Sequence, residues 1–107
     1  MSHQVLMAAE AEADLWDIYR FIQTNDGHRR AEFVLEKISE ACRRLNTHPR
    51  SGHVPPELER IGVLEYLEVH FKPYRIIYHI EGRKVFIHCI LDGRRDMQEL
   101  LARRLVR

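Results

Sequence analysis

The spacing of apolar residues changes once along this chain, and that change limits the fold more than any other feature. In the first half, apolar residues recur at intervals of three and four, as on one face of a helix. From Leu64 onward the interval drops to two, and β-branched and aromatic residues dominate. Helices followed by strands predict an α+β fold, in which the helices pack on an antiparallel sheet.

Turn and breaker residues divide the first half into predicted elements. Two helices, one on each side of the turn signal at residues 24–27, form a hairpin. Their core-facing residues are Ala11, Leu15, Ile18 and Ile22, widened by Trp16 and Tyr19, and then Ala31, Leu35, Ile38, Cys42 and Leu45. Pro49 ends the second helix. Residues 46–63 then form a long connection, with one helical turn expected at residues 56–61.

The second half is predicted to form most of the sheet. Three strands follow the connection, at residues 64–71, 74–80 and 84–91. Gly82 closes a tight hairpin between the last two strands, and Val5 with Leu6 predicts a short strand before the first helix. Asp96 and Glu99 have capping-box spacing and begin a short helix. The expected fold over residues 1–107, a single domain, is α+β: an N-terminal strand, a two-helix hairpin, a three-stranded antiparallel meander and a short C-terminal helix.

Neither face of the predicted sheet is polar. In the second strand of the meander Tyr74, Ile76, Tyr78 and Ile80 alternate with Arg75, Ile77 and His79; in the third, Val85, Ile87, Cys89 and Leu91 alternate with Phe86, His88 and Ile90. Strands that are apolar on both sides are typical of a sheet covered on both faces, whereas a helical hairpin covers only one. We therefore expect either the C-terminal helix or a partner chain to cover the second face, to which Ile77 belongs.

The composition excludes several classes of protein. The 107 residues are 45% hydrophobic and 31% charged, as in a globular chain. Cys42 and Cys89 are too few for a disulfide framework or a four-thiolate metal centre, and both are predicted to be reduced core residues. No apolar stretch approaches the ~20 residues that span a bilayer, and the N-terminus has no signal-peptide pattern, so we expect a cytoplasmic protein.

The charge is distributed unevenly, although the net charge is only +1. Residues 1–26 carry five acids against one base, a balance of −4. Residues 82–107 carry three acids against seven bases, a balance of +4; the bases are Arg83, Lys84, Arg94, Arg95, Arg103, Arg104 and Arg107. This asymmetry indicates either that the C-terminal third meets an anionic partner or that two solvated faces simply differ in charge.

Three of the seven histidines recur at intervals of nine, namely His70, His79 and His88. Some of them would approach each other on neighbouring strands. Their spacing matches no ligand motif and no carboxylate is placed to orient them, so neither a metal site nor another cofactor is predicted. His88 or His79 as a general base is the alternative to a partly buried sheet residue.

Two motifs and their separation resemble those of a known family. The sequence PYRIIY, residues 73–78, opens the second strand of the meander, and DGRRD, residues 92–96, forms the turn after the third. With the segment HPRSGHVPPEL before the meander and the order of elements, they resemble the ParE branch of the ParE/RelE toxin superfamily, also called plasmid-stabilisation proteins. The resemblance covers essentially the whole chain.

The resemblance implies the toxin of a type II toxin–antitoxin system. Such a toxin halts growth when it is freed from its cognate antitoxin, whose flexible C-terminal segment wraps it. ParE-like members act on DNA gyrase and trap it on broken DNA, whereas RelE-like members cut messenger RNA on the ribosome. Because the two branches share a fold, only the site can distinguish them.

RNA cleavage by the 2′-hydroxyl needs a proton acceptor, a proton donor and cations around the phosphorus. The resemblance puts Arg75, Arg94 and Arg95 in the place of the cations, with His88 as the candidate base. RelE-like toxins use a tyrosine or histidine near the C-terminus, yet neither residue occurs after position 88. Arginine stays protonated and transfers protons poorly. We therefore expect a protein inhibitor of DNA gyrase rather than an enzyme, with a ribosome-dependent mRNA endoribonuclease as the alternative.

The residues expected to contact the antitoxin or the target are basic, apart from one on the apolar sheet face. They are Arg75, Ile77, Arg94, Arg95, Arg103 and Arg104. For Arg75 the alternative is a structural ion pair with Glu65 or Glu68. The expected partners are a cognate antitoxin and DNA gyrase, with no membrane contact and no direct sequence-specific binding of nucleic acid.

Overall fold

The elements occur in the predicted order. The computed structural model describes residues 2–106, so Arg107, one of the seven bases counted above, lies outside the described residues. The elements are β1 (Gln4–Met7), α1 (Ala9–Asp26), α2 (His28–Arg44), α3 (Pro56–Glu59), β2 (Leu67–Phe71), β3 (Tyr74–Glu81), β4 (Lys84–Asp92) and α4 (Met97–Leu105). The predicted α+β class and its order of elements are confirmed. Within residues 2–106, no helix is both long enough and apolar enough to cross a membrane.

The four strands form one sheet in the order β1-β4-β3-β2. The meander β2-β3-β4 is antiparallel, and β1 lies parallel to β4 on its outer side. The strand β4 is therefore central, although it is the last of the four in sequence. Gly27, with φ of 94°, joins α1 directly to α2, and the resulting hairpin packs on one face of the sheet.

The main core lies between this hairpin and the sheet. Fully buried residues from both layers meet there: Ala11 of α1, Ala31 and Ile38 of α2, Ile76 and Tyr78 of β3, and Val85 and Ile87 of β4. Burial of this kind contributes about 1.5–3 kcal/mol for each large apolar side chain. Trp16 is 47% exposed, so its prediction as a core residue is wrong, whereas the half-buried Tyr19 does pack against the core.

The second face is covered in part by the chain itself. Leu100 and Leu101 of α4, with Leu58 of α3, pack on Ile77 and Cys89. Ile77 is fully buried there, so it cannot present a surface to a partner as predicted. The sequence predicted that either the C-terminal helix or a partner chain covers this face, and in the structure the C-terminal helix packs on it. Burial raises the pKa of both free thiols, Cys42 and Cys89, to about 12, and this keeps them unreactive.

A β-bulge in β4 changes which residues face which core. Tyr78 pairs with Ile87, but Ile77 pairs with Cys89, so His88 is an extra residue in β4. The alternation predicted for β4 therefore fails after Ile87, because one inserted residue moves all later side chains to the opposite face. As a result Ile90 joins the main core, while Cys89 joins the second one.

Candidate functional site

Arg75 is the most constrained of the predicted site residues. Its Nε and Nη2 atoms donate to Glu68 Oε1 and Oε2 at 2.6 and 3.1 Å. Its Nη1 and Nη2 atoms donate to Glu57 Oε2 and Oε1 at 2.9 and 2.6 Å. These hydrogen bonds, first those to Glu57, raise the pKa of Arg75, and they hold the pKa of Glu57 below its ordinary value. The guanidinium is thus occupied by two carboxylates, and Arg75 is a structural residue.

The position of each partner explains why the network forms. Glu68 lies on β2 as a near neighbour of Arg75 on β3, and its side chain is only 1% exposed. Glu57 reaches the same guanidinium from α3, so the network ties the long connection to the sheet. The structural ion pair that the sequence left open as the alternative for Arg75 is therefore present with Glu68. The second carboxylate is that of Glu57 and not, as considered, that of Glu65. Glu57 was missed because it lies in the connection, where no periodicity marks it.

The turn after β4 presents the two consecutive arginines. Arg94 donates from Nη2 and Nε to both oxygens of Asp92, at 2.6 and 2.9 Å, and these hydrogen bonds lower the pKa of Asp92. Arg94 nevertheless remains exposed at the surface. Arg95 is exposed as well, and its side chain makes no ion pair within the part of the chain that the structure describes. The turn thus offers two accessible cations, of which Arg95 is the less engaged.

Arg95 also lines the groove between α1, the N-terminal end of β3 and the C-terminal end of β4. The groove has a volume of about 260 Å³, and its other lining residues include Asp14, Asp17, Phe21, Tyr74 and Asp92. Phe21 is 66% exposed. Aromatic, acidic and basic groups therefore meet in an open depression, a combination suited to contacts with another protein.

The two arginines of α4 have different roles. Arg104 donates from Nη1 and Nη2 to the two oxygens of Asp14 at 3.1 and 2.9 Å, and these hydrogen bonds raise its pKa. The pair joins α4 to α1 across 90 residues of sequence, and Asp14 also accepts a hydrogen bond from the Ile90 backbone N–H. Arg103 is exposed and lies 3.5 Å from Glu99, one helical turn earlier. Arg104 therefore holds the fold together, and Arg103 is free to meet a partner.

The part of the second sheet face that α3 and α4 leave open carries a histidine pair. His79 Nδ1 and His88 Nε2 are 2.6 Å apart, and their rings stack with centroids at 4.8 Å. Tyr66 and Phe86 contact these rings edge-on and face-on. Burial, and then the nearby His79, lower the pKa of His88 and so favour its neutral form. His88 keeps the face that regular alternation with Ile87 gives it, and the bulge brings Cys89 to the same face.

The four residues of the nuclease hypothesis do not form one cluster. Arg75 is enclosed by Glu57 and Glu68, and His88 pairs with His79. Along β3, Arg75 and His79 are four residues apart, which is roughly 13 Å. The buried Ile77 lies between them beneath α4. The sequence predicted Arg75 and His88 on neighbouring strands and Arg94 with Arg95 in the turn that follows, but it did not predict the distances between them.

Solved structures show the class of protein that has this fold. The chain superimposes with a TM-score of 0.70 on a chain of the chromosomal ParDE toxin–antitoxin system from P. aeruginosa, covering 83% of this chain and 94% of that one at 20% identity. It superimposes with a TM-score of 0.63 on a chain of the toxin–antitoxin complex RelBE2 from Mycobacterium tuberculosis, covering 86% and 92% at 17% identity. The fold is that of the ParE/RelE toxins.

Sequence comparison shows the family. The family model described as ParE toxin of type II toxin–antitoxin system, parDE, matches residues 5–97. The chain is also 29% identical over 101 residues to Toxin ParE3 of Caulobacter vibrioides, covering 94% of this chain and 97% of that one. The chain therefore belongs to the ParE toxin family of type II toxin–antitoxin systems, and the resemblance noted from the two motifs is confirmed.

Proposed function

We propose that this toxin arrests growth by inhibiting DNA gyrase in the cytoplasm, without catalysis of its own, and that a cognate antitoxin silences it. The proposal rests on the observation that two of the arginines that a nuclease would need are already paired with carboxylates. Arg75 is held by two carboxylates and Arg94 by one. No tyrosine or histidine follows position 88 to donate a proton. Arg95 is then the one arginine of the three that has no carboxylate partner among the described residues, and a single cation without a proton donor is a poor basis for RNA cleavage.

The turn and the groove beside it are the proposed contact surface for the target. Arg94, Arg95 and Arg103 are exposed, and the groove places Arg95 near the exposed ring of Phe21. An aromatic anchor beside arginines is typical of an interface hot spot. Arg75, Ile77 and Arg104 leave the set of proposed contact residues, because each is engaged inside the fold.

The antitoxin is proposed to cover the open part of the second sheet face as well as the groove. Tyr66, His79, Phe86 and His88 offer aromatic surface there, at the edge of the area that α4 already covers. An antitoxin segment that brings apolar anchors and acidic residues would match this surface and the basic turn. Burying the anchors gives affinity, while the exposed charges mainly increase the association rate.

The test separates the gyrase target from the ribosome. The toxin is induced without its antitoxin, and DNA covalently bound to gyrase and cleaved message are measured in the same cells. Purified toxin is then added to gyrase with relaxed plasmid, and to ribosomes with message. We expect filamentous cells, gyrase-linked DNA breaks and inhibited supercoiling, with intact message. Codon-dependent cleavage of ribosome-bound message by the purified protein would contradict the proposal.

A charge-matched pair of variants controls the surface assignment. Arg94→Glu/Arg95→Glu should reduce inhibition of supercoiling, because it reverses the proposed contact charges. Arg29→Glu/Arg50→Glu makes the same change in net charge at exposed positions outside the groove and the turn. It should leave inhibition unchanged. Equal loss in both variants would show that only the overall charge matters.

A further inference from the structure

A cluster of potential metal ligands lies beside the Arg75 network, at the edge strand β2. It consists of His53, Glu68 and His70, each of which offers one ligand atom, and these atoms all lie within 4.8 Å of one another. His53 Nε2 is 3.1 Å from Glu68 Oε2, and His70 Nε2 is 3.5 Å from Glu68 Oε1. None of the three takes part in the proposed contact with the target or the antitoxin.

The backbone holds the cluster in place. The His53 N–H donates to the Glu68 carbonyl at 3.2 Å, and the Glu68 N–H donates to the His53 carbonyl at 2.8 Å. This bridge fixes the connection against β2, on which His70 follows Glu68 by two residues and so shares its face. The imidazole rings of His53 and His70 lie with centroids 5.5 Å apart. The three ligands thus come from two segments that are already joined.

The spacing suits a transition-metal ion. Bonds of about 2.0–2.2 Å place neighbouring ligands of a tetrahedral zinc ion about 3.3–3.6 Å apart, close to the two separations between imidazole and carboxylate. The two imidazoles are further from each other, but His53 is 61% exposed and its ring can rotate inward. Two histidines and one carboxylate, with a remaining position open to water, form a known donor set for zinc.

Charge and accessibility favour a cation at this place. Glu57, Arg75 and Glu68 together carry a net charge of −1, and Glu68 is only 1% exposed. Arg75 binds one lone pair on each oxygen of Glu68, which leaves one lone pair on each oxygen facing a histidine. Arg75 thereby orients the carboxylate from behind, as outer-shell partners of metal ligands do. The exposed histidines form the entrance, and the buried carboxylate forms the base.

From this geometry we propose that His53, Glu68 and His70 bind a divalent transition-metal ion of the zinc type. The ion joins the connection to the edge of the sheet and so stabilises the fold. This site is independent of the proposed action on gyrase. The histidine prediction made from the sequence considered His70 only with His79 and His88; His53 was not considered, because it lies in the long connection, 17 residues before His70 in the chain.

To test this, tag-free, chelator-treated protein is titrated with Zn²⁺ in a calorimeter. A parallel titration with Co²⁺ is monitored by absorbance. We expect one ion per chain, and binding weaker by about tenfold or more in His53→Ala and in His70→Ala. His48→Ala is the matched control, since His48 is an exposed histidine outside the cluster, and it should bind Zn²⁺ as the unchanged protein does. Zn²⁺ should raise the Tm of the unchanged protein and of the control, but not that of His53→Ala.

Circular dichroism without metal checks that the variants are folded. Two results would overturn the proposal. One is the absence of stoichiometric binding to the unchanged protein. The other is binding that survives both His53→Ala and His70→Ala but is lost in His88→Ala, which would place the ion at the histidine pair on the open sheet face.

Discussion

Replacing Arg75 by methionine should destabilise the protein strongly, because it leaves the buried carboxylate of Glu68 without its guanidinium partner and with only the more exposed His53 and His70 beside it. Glu68 is 1% exposed and cannot turn to water, whereas Glu57 is 16% exposed and can do so. Removing one member of a buried ion pair costs about 3–5 kcal/mol, and we expect Arg75→Met to fall in this range at pH 7. Arg75→Lys keeps the charge but loses the bidentate contacts, so its cost should be about 1–3 kcal/mol.

Urea denaturation followed by circular dichroism measures these differences as changes in the free energy of unfolding. Stabilities of small domains are about 5–15 kcal/mol, so Arg75→Lys keeps the comparison measurable if Arg75→Met does not fold. The double variant Arg75→Met/Glu68→Gln should recover most of the loss, because it removes the buried charge together with its partner. A cost below about 1 kcal/mol for Arg75→Met, the value of an exposed pair, would refute the reasoning.

The same network predicts a pH dependence with a definite sign. The pKa of Glu57 is lowered in the folded protein from its ordinary value of 4.5, mainly by hydrogen bonds from Arg75. Its contribution to stability is therefore fully present above the ordinary value and is lost as the pH falls through the lowered one. In Arg75→Met this contribution should disappear. Between neutral pH and pH 3, the free energy of unfolding should accordingly decrease less in the variant than in the unchanged protein.

Three further predictions address the surface, the helix contact and the connection. Arg94→Glu/Arg95→Glu should slow antitoxin association and weaken its salt dependence, with a change in stability within about 0.5 kcal/mol, as surface plasmon resonance and urea denaturation can show. Asp14→Ala should cost about 2 kcal/mol in urea denaturation, because Arg104 loses its charged hydrogen bonds; an unchanged stability would mean that α4 is held by apolar contacts alone. Tyr78→Phe removes the buried hydroxyl that binds the connection and should cost about 1–2 kcal/mol, measured in the same way.

The amino-acid sequence was sufficient to predict the elements of the fold and the family. The spacing of apolar residues, the turn residues and the helix caps depend on residues only a few positions apart, so a short stretch of sequence is enough to predict them. The hairpin of α1 and α2 and the cap at Asp96, which accepts from the Glu99 N–H at 3.2 Å, are examples. The predicted first strand of the meander began three residues early, at Leu64 instead of Leu67, since strand ends depend on pairing.

The roles of the candidate residues were decided only by the tertiary structure. The bulge at His88 reverses the faces of β4 through its register with β3, and no local pattern records that register. The side chain of Arg75 meets Glu57 18 residues away, and that of Arg104 meets Asp14 90 residues away. Sequence alone therefore identified where the arginines are, while the packing of distant segments determined which of them bind inside the fold and which remain free at the surface.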